Sequence, residues 1–240
     1  ELSNASGCGQ GGCQVICDDV IYFAEPMFQD GLIAQAAQAS VDAGVPFYSS
    51  AGNQSTNGVD EVYADVNPGT DDTDFPPSGD DLHDFASGDE FAAITLPNFC
   101  GVRAVLQWNE PFSGTLGPGA SSDLDLHVYD SPSAAGTRLQ SSTDPQGCGA
   151  GGGQSGDPLE IVLHFNTTGS AQTVYLAVEH FCGNETDLRF RIGTYGFFCN
   201  ETAITWESGI FDKAQIYGHA AAAGAEAVAA VFYGEIDTGG

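Results

Sequence analysis

The chain has 240 residues, of which 42% are hydrophobic and 10% aromatic, enough to bury one or two cores and too many for a disordered segment. Thirty-three acidic side chains against five basic ones give a formal charge of −28, which argues against nucleic acid and anionic membrane surfaces as partners. Lys213 is the sole lysine, so lysine-based chemistry is all but excluded. The sequence has neither a signal-peptide pattern nor an apolar stretch of about 20 residues. It therefore reads as a processed chain or a piece of a longer one, without membrane insertion.

Residues 1–14 are small, polar and Gly-rich, and a local bridge from Cys8 to Cys13 would pin them, leaving Cys17 as a buried free thiol. Val15 to Phe23 is an apolar run suited to a strand covered on both faces. A helix is predicted next, from the spacing of Leu32, Ile33, Ala36, Ala37 and Val41, with Asp30 as N-cap and Gly44 as the C′ glycine. Val45 to Ser50 returns as a second strand and runs into Ala51-Gly52-Asn53. Two strands joined through a helix must be parallel, which places Asn53 at a strand's carboxyl end, where open α/β sheets bind ligands.

Gln54 to Phe85 loses periodicity, turns acidic and reads as a long loop. Within it Asp71, Asp72 and Asp74 offer oxygen ligands for Ca²⁺, without the spacing of an EF-hand. Strict alternation follows in Val102 to Trp108, Asp123 to Val128, Ile161 to Phe165, Val174 to Val178 and Leu188 to Ile192. With Phe91 to Leu96 and Ala203 to Trp206 this makes seven or eight short strands, the pattern of an antiparallel sandwich. The glycine run from Gly147 to Gly156 is not a phosphate loop, since no Lys-Ser/Thr follows it. Ile216 to Tyr233 is Ala-rich and helical by propensity alone.

Seven cysteines without C-x-x-C pairs suit an oxidising compartment. Cys182 with Cys199, and Cys100 with Cys148, are expected to staple neighbouring loops. Sequons at Asn4, Asn53, Asn166, Asn184 and Asn200 add N-linked glycans to the expectation and favour an extracellular glycoprotein. His83, His127, His164, His180 and His219 lack metalloprotease spacing, and His219 reads as a loop or core residue. Glu160 and Glu179 are a carboxylate pair only if their strands are adjacent; otherwise they face water.

Asp19-Val20-Ile21, Ala43-Gly44-Val45-Pro46 and Ser50-Ala51-Gly52-Asn53 resemble the middle of a subtilisin-like serine peptidase. The resemblance implies an oxyanion-hole role for Asn53 and makes Glu226-Ala227-Val228-Ala229-Ala230-Val231 a return strand after one helical turn near Ala220 to Ala223. A triad of that family needs an early Asp-Ser/Thr-Gly, a His-Gly-Thr and a late Gly-Thr-Ser; none occurs. Leu106 to Phe112, Ser122 to Tyr129, Gly156 to Glu160 and Val174 to Val178 resemble the bacterial pre-peptidase C-terminal β-sandwich, a non-catalytic companion of secreted peptidases. That resemblance implies a Ca²⁺ site to which Asp123, Asp125 and Asp157 contribute, with carboxylates facing water as the plainer reading.

The expected fold is therefore α/β plus all-β: a partial subtilisin-like parallel sheet formed by 1–85 and 208–240, with an antiparallel β-sandwich inserted over 86–207. Three functions stay open. The first is a non-catalytic extracellular scaffold that self-associates into a homo-oligomer or polymer. The second is an internal fragment of an active peptidase whose triad lies outside the chain, and the third is a Ca²⁺- or carbohydrate-binding module.

Overall fold

A computed structural model describes residues 13–54, 56–65, 81–85, 89–114, 116–147 and 156–230. In chain order the elements are β1 (Ile16–Asp18), α1 (Leu32–Asp42), β2 (Phe47–Ser50), β3 (Val59–Val62), β4 (Ala92–Leu96), β5 (Gly101–Trp108), β6 (Asp123–Tyr129), β7 (Arg138–Ser142), β8 (Leu159–Phe165), β9 (Gln172–Cys182), β10 (Arg189–Phe197), β11 (Thr205–Trp206) and β12 (Ala225–Val228). The chain divides into two compact units, residues 1–53 with 216–240, and residues 54–215. Among the described residues, no helix is long and apolar enough to cross a membrane.

The first unit is a three-stranded parallel sheet in the order β1-β2-β12. Helix α1 buries Ala34 and Ala37 against Phe47 and Ala222, because small side chains let the helix approach the sheet closely. Its N-cap is Gly31 rather than the expected Asp30, and no side chain caps it. Gly44 takes φ +84° just past the helix, the left-handed turn that only glycine adopts without strain. The Ala-rich segment departs from its propensity: a 3-10 turn over Gly218–Ala221 leads into β12, whose residues pair with all four residues of β2. Pairing and packing against α1 outweigh the few tenths of a kcal/mol per residue that alanine gains in a helix.

Among the described residues, only one face of this sheet is clad. Cys17 and Glu226 flank Tyr48 in register, and all three are exposed. The thiol of Cys17 is thus free but not buried, contrary to expectation, since no described residue of the unit covers that side. The first strand is also shorter than the apolar run suggests, and Val20, Ile21 and Tyr22 lie exposed beyond it.

The second unit is an antiparallel β-sandwich with sheets β3-β10-β5-β8 and β11-β4-β9-β6-β7. The inward rows, among them Val102, Ala104, Leu106 and Trp108 from β5 and Leu124, Leu126 and Val128 from β6, form its core. Strand β3 corrects the reading of an acidic loop: Val59 points into the core while Asp60 pairs with Arg189 and Arg191 on β10. Cys100 is bonded to Cys199, with Cα atoms 5.2 Å apart, so neither Cys100–Cys148 nor Cys182–Cys199 forms. Cys13 and Cys182 are also in disulfides. Cys8 and Cys148 lie outside the described residues.

Candidate functional site

In the α/β unit the residues with chemical potential meet at the clad face. Ser49 Oγ donates to Asp18 Oδ1 at 2.5 Å. His219 Nδ1 lies 2.6 Å from Glu25 Oε2, and its Nε2 lies 3.3 Å from Asp18 Oδ2. Tyr22 and Phe47 meet the imidazole edge-on, and Gly218, at φ +63°, passes so close to Glu25 that a Cβ there would lie 2.3 Å from the carboxyl carbon. A nucleophile needs its hydroxyl on the base, whereas here the hydroxyl is on a carboxylate and both ring nitrogens face carboxylates. The group is a buried polar clamp tying the segment before β12 to β1. Replacing His219 by Ala is expected to cost about 1 to 3 kcal/mol by stripping buried acceptors of a partner, measured by denaturant unfolding. Asn53 is exposed at the end of β2, beside the left-handed Gly52.

The sandwich holds a different kind of site. Asp125 and His127 stand two apart on β6 and share a face, and the register sets Glu179 of β9 opposite Asp125. Glu160, from β8 of the other sheet, reaches the same neighbourhood. The ligand atoms of Asp125, His127 and Glu179 all lie within 4.8 Å of one another, as do those of Asp123, Asp125 and Glu160. Asp125 is common to both sets. All five residues are buried, with Asp125 the most accessible at 6%. These are not the water-facing carboxylates that alternation suggests, because β6 is covered on both faces. Glu160 and Glu179 sit on different sheets rather than adjacent strands. Their burial to 1% each also denies a glycan chain access to them.

Four carboxylates so placed cannot all ionise cheaply. Burial first, then the neighbouring carboxylates, push Asp125 up to about 8; burial and Glu160 push Asp123 up to about 7. Burial also raises Glu160, although hydrogen bonds from Ser142 and Gln146 work against it. The nearest cation among the described residues is Arg138, whose Nη2 lies 3.8 Å from Glu179 Oε2. His127 Nε2 is 2.7 Å from that same oxygen, while its Nδ1 is 3.0 Å from Ser141 Oγ. Asp123 Oδ1 and Glu179 Oε1 are buried with no hydrogen-bond partner.

The other expected site residues are scattered. Asp157 is exposed, accepts from the backbone N–H and hydroxyl of Ser113, and is in neither ligand set. Asp71, Asp72, Asp74 and Asn4 lie outside the described residues. Asn184 and Asn200 are exposed, each accepting the N–H two residues on. Asn166 is fully buried, and its Nδ2 donates to the carbonyls of Leu96, Pro97 and Ser170. That nitrogen is the glycan attachment point, so the folded chain has no room for a glycan there. His127, Glu160 and Glu179 were not expected as ligands; the signal that could have found the first was its place in the row Asp123, Asp125, His127.

No family model matches the sequence, and no curated protein matches it. Among solved structures, four chains match, one of them from naturally occurring empty particles, the top component, of cowpea mosaic virus. It is 7% identical, covers 51% of this chain and 82% of its own, and has a TM-score of 0.26, too low to carry an argument about fold or function.

Proposed function

We propose that the chain is a non-catalytic extracellular structural subunit, built from a subtilisin-like α/β unit and a sandwich of the pre-peptidase C-terminal type, that associates through its parallel sheet. The observation that carries this reading is a sheet that the described residues clad on one face only. Parallel sheets are normally covered on both sides, and here Cys17, Tyr48 and Glu226 form a row left exposed among the described residues. Strands β1 and β12 also have no further strand partner among the described residues, which leaves two edges able to accept a strand from another molecule. Disulfide-bonded cysteines and the charge of −28 suit an oxidising, extracellular setting.

Sedimentation velocity across a wide concentration range tests this reading. Concentration-dependent growth that Tyr48→Lys abolishes is the expected result, and a monomer at every concentration would remove it. Asn53 at the carboxyl end of β2 favours a second reading, in which flanking polypeptide of a serine peptidase covers the bare face and supplies Asp, His and Ser. Labelling of a longer gene product, but not of this chain, by a serine-directed acylating reagent would establish that alternative.

A further inference from the structure

We propose that Asp125, His127 and Glu179 of the sandwich hold a first-row transition dication, Zn²⁺ or Mn²⁺. The inference is independent of the association reading, since it concerns the other unit and different observations.

Two carboxylates and one imidazole form a mixed oxygen and nitrogen donor set, which suits such ions; Ca²⁺ prefers six to eight oxygens. Ligand atoms about 2 Å from one tetrahedral ion stand about 3.3 Å apart, so a group already within 4.8 Å needs a contraction of about 1.5 Å at most. The imidazole is oriented for the task. Ser141 Oγ engages Nδ1 at 3.0 Å, which leaves Nε2 aimed at Glu179, the arrangement by which metal-binding histidines are commonly fixed. Independent of the clustering, Glu179 Oε1 is buried and has no hydrogen-bond partner, although its residue is only 1% exposed. An ionised carboxylate oxygen in that state is costly unless a cation meets it.

The all-oxygen set of Asp123, Asp125 and Glu160 is the competing position. Glu160 is already committed there: Ser142 Oγ donates to Oε2, while the Asp144 backbone N–H and Gln146 Nε2 donate to Oε1 at 3.0 and 2.7 Å. Each set holds one buried oxygen without a partner, Asp123 Oδ1 in one and Glu179 Oε1 in the other, but both oxygens of Glu160 are engaged whereas only Oε2 of Glu179 is, which favours the position containing His127. Binding would displace the hydrogen shared by His127 Nε2 and Glu179 Oε2 and the proton carried by Asp125, and both leave to solvent. Arg138, 40% exposed on edge strand β7 and 3.8 Å from Glu179, is the positive group that an ion would displace from that carboxylate.

The test is equilibrium dialysis of the chelator-stripped protein against Zn²⁺, Mn²⁺ and Ca²⁺, with elemental analysis and the visible spectrum of the Co²⁺ form. One ion per chain is expected, with Zn²⁺ or Mn²⁺ preferred over Ca²⁺. Affinity should fall about 100-fold or more in Asp125→Asn and Glu179→Gln, and about tenfold in Ser141→Ala, an exposed position where folding is not at stake. His127→Gln should alter the Co²⁺ spectrum. Melting of each metal-free variant controls for loss of fold. The proposal is overturned if no ion binds, if binding survives both Glu179→Gln and His127→Gln, or if Ca²⁺ is preferred and depends on Asp123 and Glu160.

Discussion

Stripped of bound cations, the sandwich is expected to lose stability as the pH rises from about 4 to about 8, opposite to the usual acid-side loss. In the unfolded chain Asp123 and Asp125 ionise near the ordinary carboxylate value of about 4. In the fold they keep their protons to about 7 and about 8. Over that interval the folded state binds more protons than the unfolded one, so each step up in pH favours unfolding; below about 4 both states are protonated and the contribution is flat. The groups facing the pair are Glu160 and Glu179, which hinder ionisation, and Arg138, which helps it. Because one pKa unit corresponds to about 1.4 kcal/mol, the combined loss is on the order of several kcal/mol. Asp125→Asn removes the largest part: its melting temperature in chelator should exceed that of the parent by several degrees at pH 8, and match it near pH 4. Urea unfolding at a series of pH values measures the slope, and a flat or rising profile would show that the buried carboxylates have found partners.

The second large effect is expected from the cross-link. Cys100 and Cys199 are 99 residues apart in sequence, so the bond closes a long loop spanning β5 to β10. In the chain-entropy account a loop of about 100 residues contributes about 4 to 5 kcal/mol by restricting the unfolded state, and removal of native bridges costs about 2 to 5. The Cys100→Ser/Cys199→Ser variant should therefore show a lower urea midpoint, while Cys17→Ser, at an exposed free thiol, changes it little. Phe99 and Phe198 stand immediately before the two cysteines, each in left-handed backbone at φ 62°. Such a conformation costs about 1 to 3 kcal/mol and persists only where the surroundings impose it. Loss of the bond should release both turns, visible as faster amide exchange at Gly101 and Asn200.

Much of this architecture could be read in the residues, and the exceptions share physical causes. The alternation of β5 and β6 is unmistakable because each strand sends three or four large apolar side chains into the core. Strand β7 escapes notice since Arg-Leu-Gln-Ser-Ser sits at a sheet edge and contributes only Leu139. Strand β3 escapes because half its length is acidic, Asp60 being matched by arginines distant in sequence and Glu61 by His83. The pairing of seven cysteines is not encoded locally at all. For the candidate metal centre, alternation located Asp123 and Asp125 on the face opposite the leucines. What the sequence pattern could not disclose is that this face is covered, which turns ordinary surface carboxylates into a buried, charge-deficient pocket with Glu160 and Glu179 as neighbours.

The pairing of Gly58 with Lys213 has a consequence for how such a molecule is put together. Each backbone N–H donates to the other's carbonyl at 3.0 Å, so the chain enters and leaves the sandwich at nearly the same point. A body with neighbouring entry and exit can be spliced into a host loop without stretching either partner, and can be lifted out again. The span from Gln54 to Gln215 is accordingly a transplantable cassette, and a short Gly-Ser bridge from Asn53 to Ile216 would leave β2 and β12 free to lie side by side.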